Sequence, residues 1–315
     1  MTVQALETEL RRRIEREASD LKPTRLTLDT VSWGDGPDAG KFWIPEDLAP
    51  LWSTPAYDDL TPQQRLRYNH YFALQMAEEF IWLERYLIIA ALTNLVRGEV
   101  PTPSLRTLLE SFVTDEQHHN ASLYRLLELA RPDIYENSPF YFFVPPRNVS
   151  FLIGVMARLP RLLSAWGLFA GTLEEQTILI SRRYRDGNED IDPVFASVYI
   201  LHAQDEARHC KLDSMIADWL MTGQHGWAEQ VNAKVLGIAF QAYYSVDWGY
   251  DRPIRRLVAD FPDLRDREAG MIRQAMSARS ATYTDSLLNR STSPITTRNA
   301  ERYEMLDRAI RRLAP

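Results

Sequence analysis

Asp115-Glu116-Gln117-His118-His119 and Asp205-Glu206-Ala207-Arg208-His209 both match D-E-x-x-H. Glutamate and histidine three residues apart project from one face of a helix. A carboxylate that bridges two irons, beside an imidazole on one of them, needs this spacing. The chain has six histidines, and His118, His119, His202 and His209 all fall in two short segments. His202, Glu206 and His209 stand at i, i+4 and i+7 on one face. From the residues alone, His202 reads either as a third histidine ligand or as a buried histidine bonded to a backbone carbonyl. His118 points off the metal face. Asp115 and Asp205 are placed to accept the second ring N–H of the histidine in the opposite motif. Arg208 is placed to pair with a buried carboxylate.

Outward from the motifs, the periodicity is helical. Thr61-Pro62, Thr102-Pro103 and Asp192-Pro193 each set a capping residue before a proline at the first helical position. They predict helices running to about Arg97, Ala130 and Met221. A fourth helix covers about Arg161–Arg185, broken by Pro160 from a shorter segment near Ser150–Arg158 and closed by a left-handed cap at Gly187. The short connectors Gly98–Pro101 and Asp186–Ile191 make two antiparallel pairs, joined by the proline- and aromatic-rich Arg131–Asn148. That is the all-α, ferritin-like four-helix bundle, with additional N- and C-terminal helices. The expected organisation is one domain over 1–315, with a bundle core at about 62–221 and peripheral segments at 1–60 and 222–315. The last of these is split near Asp251-Arg252-Pro253, Phe261-Pro262 and Ser291–Pro294.

A di-iron bundle also takes one carboxylate from each partner helix. Glu84 lies 32 residues before Glu116, and Glu174 or Glu175 lies 32 or 31 before Glu206. Each is set in an apolar run, where a carboxylate is costly unless paired or metal-bound. Glu78 and Glu79 compete with Glu84, and the choice between Glu174 and Glu175 stays open on spacing.

Apolar residues make up 45% of the chain, enough for a large core, and the net charge of −7 makes nucleic acid and anionic membrane poor partners. The single cysteine, Cys210, excludes an internal disulfide and an all-cysteine metal site. The charged, amphipathic N-terminus lacks the apolar core of a secretory signal, and no apolar run is long enough to span a membrane. A cytoplasmic location is expected.

The stretch from about Leu74 to Trp219 resembles the non-haem di-iron arylamine N-oxygenases of aureothin and chloramphenicol biosynthesis. The most specific match is Leu173-Glu174-Glu175 followed, 27 residues after Glu175, by His202-Ala203-Gln204-Asp205-Glu206-Ala207-Arg208-His209. The resemblance selects Glu175 over Glu174 and makes His202 an extra histidine ligand. A second match, at Leu95-Val96-Arg97-Gly98, selects Glu84 over Glu78 and Glu79. The connector before Asp115-Glu116 is about three residues shorter than in the family.

The implied ligands of two Fe ions are Glu84, Glu116, His119, Glu175, His202, Glu206 and His209. Asp115 and Asp205 would orient the histidines. The implied activity is O2-dependent oxidation of an amine, through hydroxylamine towards nitro, in a specialised biosynthetic pathway. The family anchors a substrate carboxylate with a C-terminal arginine, for which Arg298 is the candidate here. It also implies a homodimer. The sequence carries no nicotinamide or flavin fingerprint, so the electrons are expected from an external donor, a ferredoxin or reductase. Two other functions compete with this one: a di-iron C–H hydroxylase or desaturase, and a non-catalytic ferritin-like iron-binding protein.

Overall fold

The computed structural model describes residues 25–313 except 101, 137, 139, 146, 187–189, 222–225, 246–249 and 289, together with Thr8, Arg11, Arg12 and Glu15. Most of the expected N-terminal helix and the expected cap at Gly187 lie outside the described residues. Within them the protein is all-α. The only β feature there is an isolated bridge between Phe42 and Ile191, and no helix is long and apolar enough to cross a membrane.

The capping residues start the helices as their chemistry dictates. Thr61 and Gln64 form a reciprocal capping box at the head of α1 (Pro62–Leu83). A π-helical turn, Glu84–Ile89, interrupts the expected continuous helix before α2 (Ala90–Arg97). Thr102 accepts from Leu105 N at 3.1 Å to open α3 (Pro103–Ala130). Arg106 of α3 reaches back to the carbonyls of Val96 and Gly98, closing α2.

The crossover contains a short helix, Pro132–Tyr135, and then an irregular run to α4 (Arg147–Arg158). α5 (Ala165–Asp186) begins later than the sequence suggests. The turn after Pro160 is long, and α5 is capped from far away, with Ala165 N donating to Asn232 Oδ1 at 2.9 Å. Asp192 Oδ1 accepts from Val194 N and Phe195 N, opening α6 (Pro193–Met221). The remaining helices are α7 (Trp227–Ser245), α8 (Asp251–Asp260), α9 (Glu268–Leu288), α10 (Pro294–Arg302) and α11 (Glu304–Arg311).

The pairing of the long helices follows from which residues meet. Asn120 touches Glu84 and Arg106 touches Val96, so α3 runs antiparallel to the α1–π–α2 rod. Tyr184 stacks on Tyr199 while Gly171 faces Asp213, so α5 and α6 are antiparallel. His119 meets Asp205, and Phe112 stacks on His209, which sets the two motif helices face to face. This is the four-helix arrangement in which ligand sites form between inward side chains of facing helices. The crossover is tied to it by Glu78. That buried carboxylate accepts from Tyr135 Oη at 2.5 Å and from the backbone N–H groups of Tyr141, Phe142 and Phe143 at 2.9, 2.9 and 2.7 Å. Glu79 accepts from Tyr250 Oη at 3.1 Å and stands in the same cleft as Glu84, Glu174 and Glu206.

Candidate metal centre

Both motifs point into the bundle, and the π turn brings Glu84 to meet them. Glu84, Glu116, His119, His202, Glu206 and His209 are all buried. Their ligand atoms form two overlapping groups. One holds Glu84, His119, His202 and Glu206; the other holds Glu116, His119, Glu206 and His209. Within each group the atoms lie within 4.8 Å of one another. Glu206 and His119 belong to both. His202 Nε2 is 3.0 Å from Glu84 Oε1 and 2.6 Å from Glu206 Oε1. His209 Nδ1 is 2.9 Å from Glu116 Oε1 and 3.2 Å from Glu206 Oε2. Asn120 steadies Glu84, donating to its Oε2 at 2.8 Å.

The outer edges of two imidazoles face the two aspartates. His119 Nε2 lies 3.1 Å from Asp205 Oδ2, and His209 Nε2 lies 3.6 Å from Asp115 Oδ2. A carboxylate at Nε2 keeps the proton there and leaves the Nδ1 lone pair facing inward. Arg208 donates to Asp205 Oδ1 at 2.6 Å. His118 is half-buried and belongs to neither group.

The structure differs from the sequence reading at the fourth carboxylate. Glu175 is buried, but it turns to the head of α10, where Ile295 N and Thr296 N donate to its two oxygens at 2.8 and 2.7 Å. A helix N-terminus offers unpaired N–H groups and partial positive charge, so it holds an anion well. Glu174 turns the other way. It shares a cleft with Glu84 and Glu206, walled by Met76, Phe80, Leu83, Leu173 and Ile180. Asp213, one helical turn beyond His209, was not singled out in the sequence. It is buried and acts electrostatically on Glu174. Its i+4 relation to His209 was the available signal. Arg298 is exposed on α10 and does not line the cleft.

Charge balance explains what such a cluster is suited to hold. Burial opposes charge on His202, yet Glu206 and Glu84 raise it to about 10. Burial and the neighbouring His202 oppose charge on His119, but Asp205 and the two motif glutamates raise it to about 9. Glu116 is pushed up to about 7 by burial and by repulsion from Glu206. Burial raises Glu174 well above the usual carboxylate range, helped by Asp213 and Glu206. Such shifts follow when carboxylates crowd a dry site and take up protons in place of cations. Glu116 Oε2 and His202 Nδ1 are buried without a hydrogen-bond partner, and Glu116 Oε1 and His202 Nε2 meet other side chains of the same cluster. Buried polar atoms are normally satisfied. Oxygen and imidazole donors left open together fit first-row divalent metal ions.

The family model for p-aminobenzoate N-oxygenase AurF matches residues 17–288. The chain belongs to this family. It is a helical protein of an oxygenase family, with a buried glutamate and histidine cluster able to hold metal. No curated protein matches the chain.

Proposed function

We propose that this member of the AurF family is an O2-dependent N-oxygenase, and that it holds two irons through Glu84, Glu116, His119, Glu174, His202, Glu206 and His209. The observation that carries the reading is the pair of overlapping ligand groups, joined by Glu206 and His119 and left with open donor atoms. Glu174 takes the place first given to Glu175, because Glu175 is satisfied by α10. When bound, the iron pair supplies the reduction of O2.

The chain's own residues bind, orient and shield. Glu206, with two oxygens, would serve both positions, and His119 would serve one of them through Nδ1. Asp115 and Asp205 fix the histidine rings. The apolar wall of Met76, Phe80, Leu83, Leu173 and Ile180 limits water beside Glu84, Glu174 and Glu206. The amine must meet the centre with its nitrogen unprotonated, so that a lone pair is available. The first oxidation balances as R–NH2 + O2 + 2 electrons + 2 protons giving R–NHOH + H2O. The electrons come from an external reductant, such as a ferredoxin with its reductase.

The test is to reduce the iron-loaded protein, admit O2 in the presence of a panel of aryl and alkyl amines, and analyse products by mass spectrometry. Hydroxylamine, nitroso or nitro products are expected, and they should be lost in Glu206→Ala. Oxidation at carbon alone would replace this reading with the hydroxylase. Iron uptake with no oxidised amine from any member of the panel would favour an iron-binding protein.

A further inference from the structure

One dipeptide outside the bundle touches both motifs. Leu26 N donates to Asp205 Oδ2 at 2.8 Å across 179 residues. The adjacent Arg25 places Nη1 2.9 Å from Asp115 Oδ1. Leu26 itself is fully buried in the core, which pins this segment over the ends of the two aspartates.

We infer that Arg25 and the backbone N–H of Leu26 form a positioning strap, which orients His209 and His119 through Asp115 and Asp205. The inference rests on the proposal that these histidines hold metal. The two aspartates are nearly inaccessible, and a buried carboxylate drifts or becomes costly unless its oxygens are occupied. Asp205 has three partners: His119, Leu26 N and Arg208 at 3.1, 2.8 and 2.6 Å. Asp115 is less well supplied. Arg208 stands 3.7 Å from it and His209 3.6 Å, which leaves Arg25 as its close cation among the described residues. The arginine therefore acts on one half of the centre. It holds Asp115 against His209, and so fixes which ring nitrogen His209 presents inward. Partners at this remove from a metal typically change its affinity by about 10–100-fold.

The experiment uses the full chain loaded with cobalt(II), whose visible bands report ligand geometry. Metal release to a chelator and the visible spectrum are compared for the wild type, Arg25→Ala, Arg25→Lys and Leu26→Pro. Arg25 is partly exposed, with 31% of its side chain accessible, so its variants test the site with little change to the core. The expected result is that Arg25→Ala still binds two metals at saturation, releases one of them about 10–100-fold faster, and shifts the bands of that metal. Arg25→Lys should restore most of both. Leu26→Pro removes the other donor and should perturb the metal at His119. A wild-type spectrum and release rate in Arg25→Ala would overturn the strap while leaving the metal centre intact. A lower melting temperature with unchanged bands would also overturn it, since that is the mark of a purely structural contact. Failure of the wild type to take up cobalt or iron would instead overturn the metal reading, and the strap with it.

Discussion

The two helix pairs solve the same problem in different ways. In the first, the α1–π–α2 rod delivers Glu84 by distorting its backbone, and α3 supplies Asn120 to hold the carboxylate. In the second, α5 and α6 are undistorted helices in their described parts, and the adjustment is made by side chains. Glu174 and Glu175 diverge, one to the cleft and one to α10, while His202 and Asp213 extend the motif face of α6 by a turn in each direction. A pair that carries its adjustment in the backbone depends on helix geometry. A pair that carries it in side chains depends on which neighbour each side chain finds.

The largest expected effect tests whether the two halves are independent. Glu206 faces both ligand groups, whereas Glu84 and His202 face only one. Glu206→Ala should therefore lose both irons, and His202→Ala should lose no more than one. Metal analysis of reconstituted protein decides this, and equal losses in the two variants would mean that the shared carboxylate has no special place.

The next effect separates adjacent residues. Glu174→Ala should lower iron content while leaving α10 docked. Glu175→Ala should keep its iron but lose about 2 kcal/mol of stability, since two N–H groups at a helix start lose their anionic acceptor. Iron content and thermal melting, measured on both variants, are expected to give opposite patterns. If Glu175→Ala loses the metal instead, the family spacing was the better guide.

These residues also show where sequence reading stops. The three helix starts at Thr61, Thr102 and Asp192 were legible because a capping side chain answers to its own local backbone. The motif faces were legible because three and four residues make one turn. Glu174 and Glu175 were not separable by burial, since both are buried. What parts them is the head of α10, some 120 residues further along the chain. The late start of α5 has the same origin, because its cap comes from Asn232. The spacings to Glu206, 32 residues from Glu174 and 31 from Glu175, left that choice open. The competition from Glu78 was decided by the crossover, whose backbone N–H groups need that carboxylate.

Two smaller effects sharpen the contrast. Asn120→Ala removes the donor to Glu84 and should weaken metal binding about tenfold, with the loss confined to the position shared by Glu84, His119, His202 and Glu206. Chelator competition measures it, and unchanged affinity would mean that the π turn alone holds Glu84. In the second pair, Gly171→Ala would set a methyl group 3.2 Å from Asp213 Cβ. The gain in helix propensity, about 1 kcal/mol, should be largely cancelled by that contact. The melting temperature should then move little. A full stabilisation would show that α5 and α6 can part there without strain.

The π turn also changes how the first rod should be counted. It acts as a one-residue insertion into an otherwise regular helix. Each residue of an α-helix advances the azimuth by about 100°, so everything beyond Ile89 is out of phase with everything before Glu84 by about that angle. A helical wheel drawn straight through Pro62–Arg97 therefore superimposes positions that face different neighbours. The inward stripe of α1 and that of α2 belong to two separate wheels. The phase slip falls where Glu84 leaves the apolar seam to join the histidines, so the bookkeeping of the helix and the placement of the carboxylate are the same event.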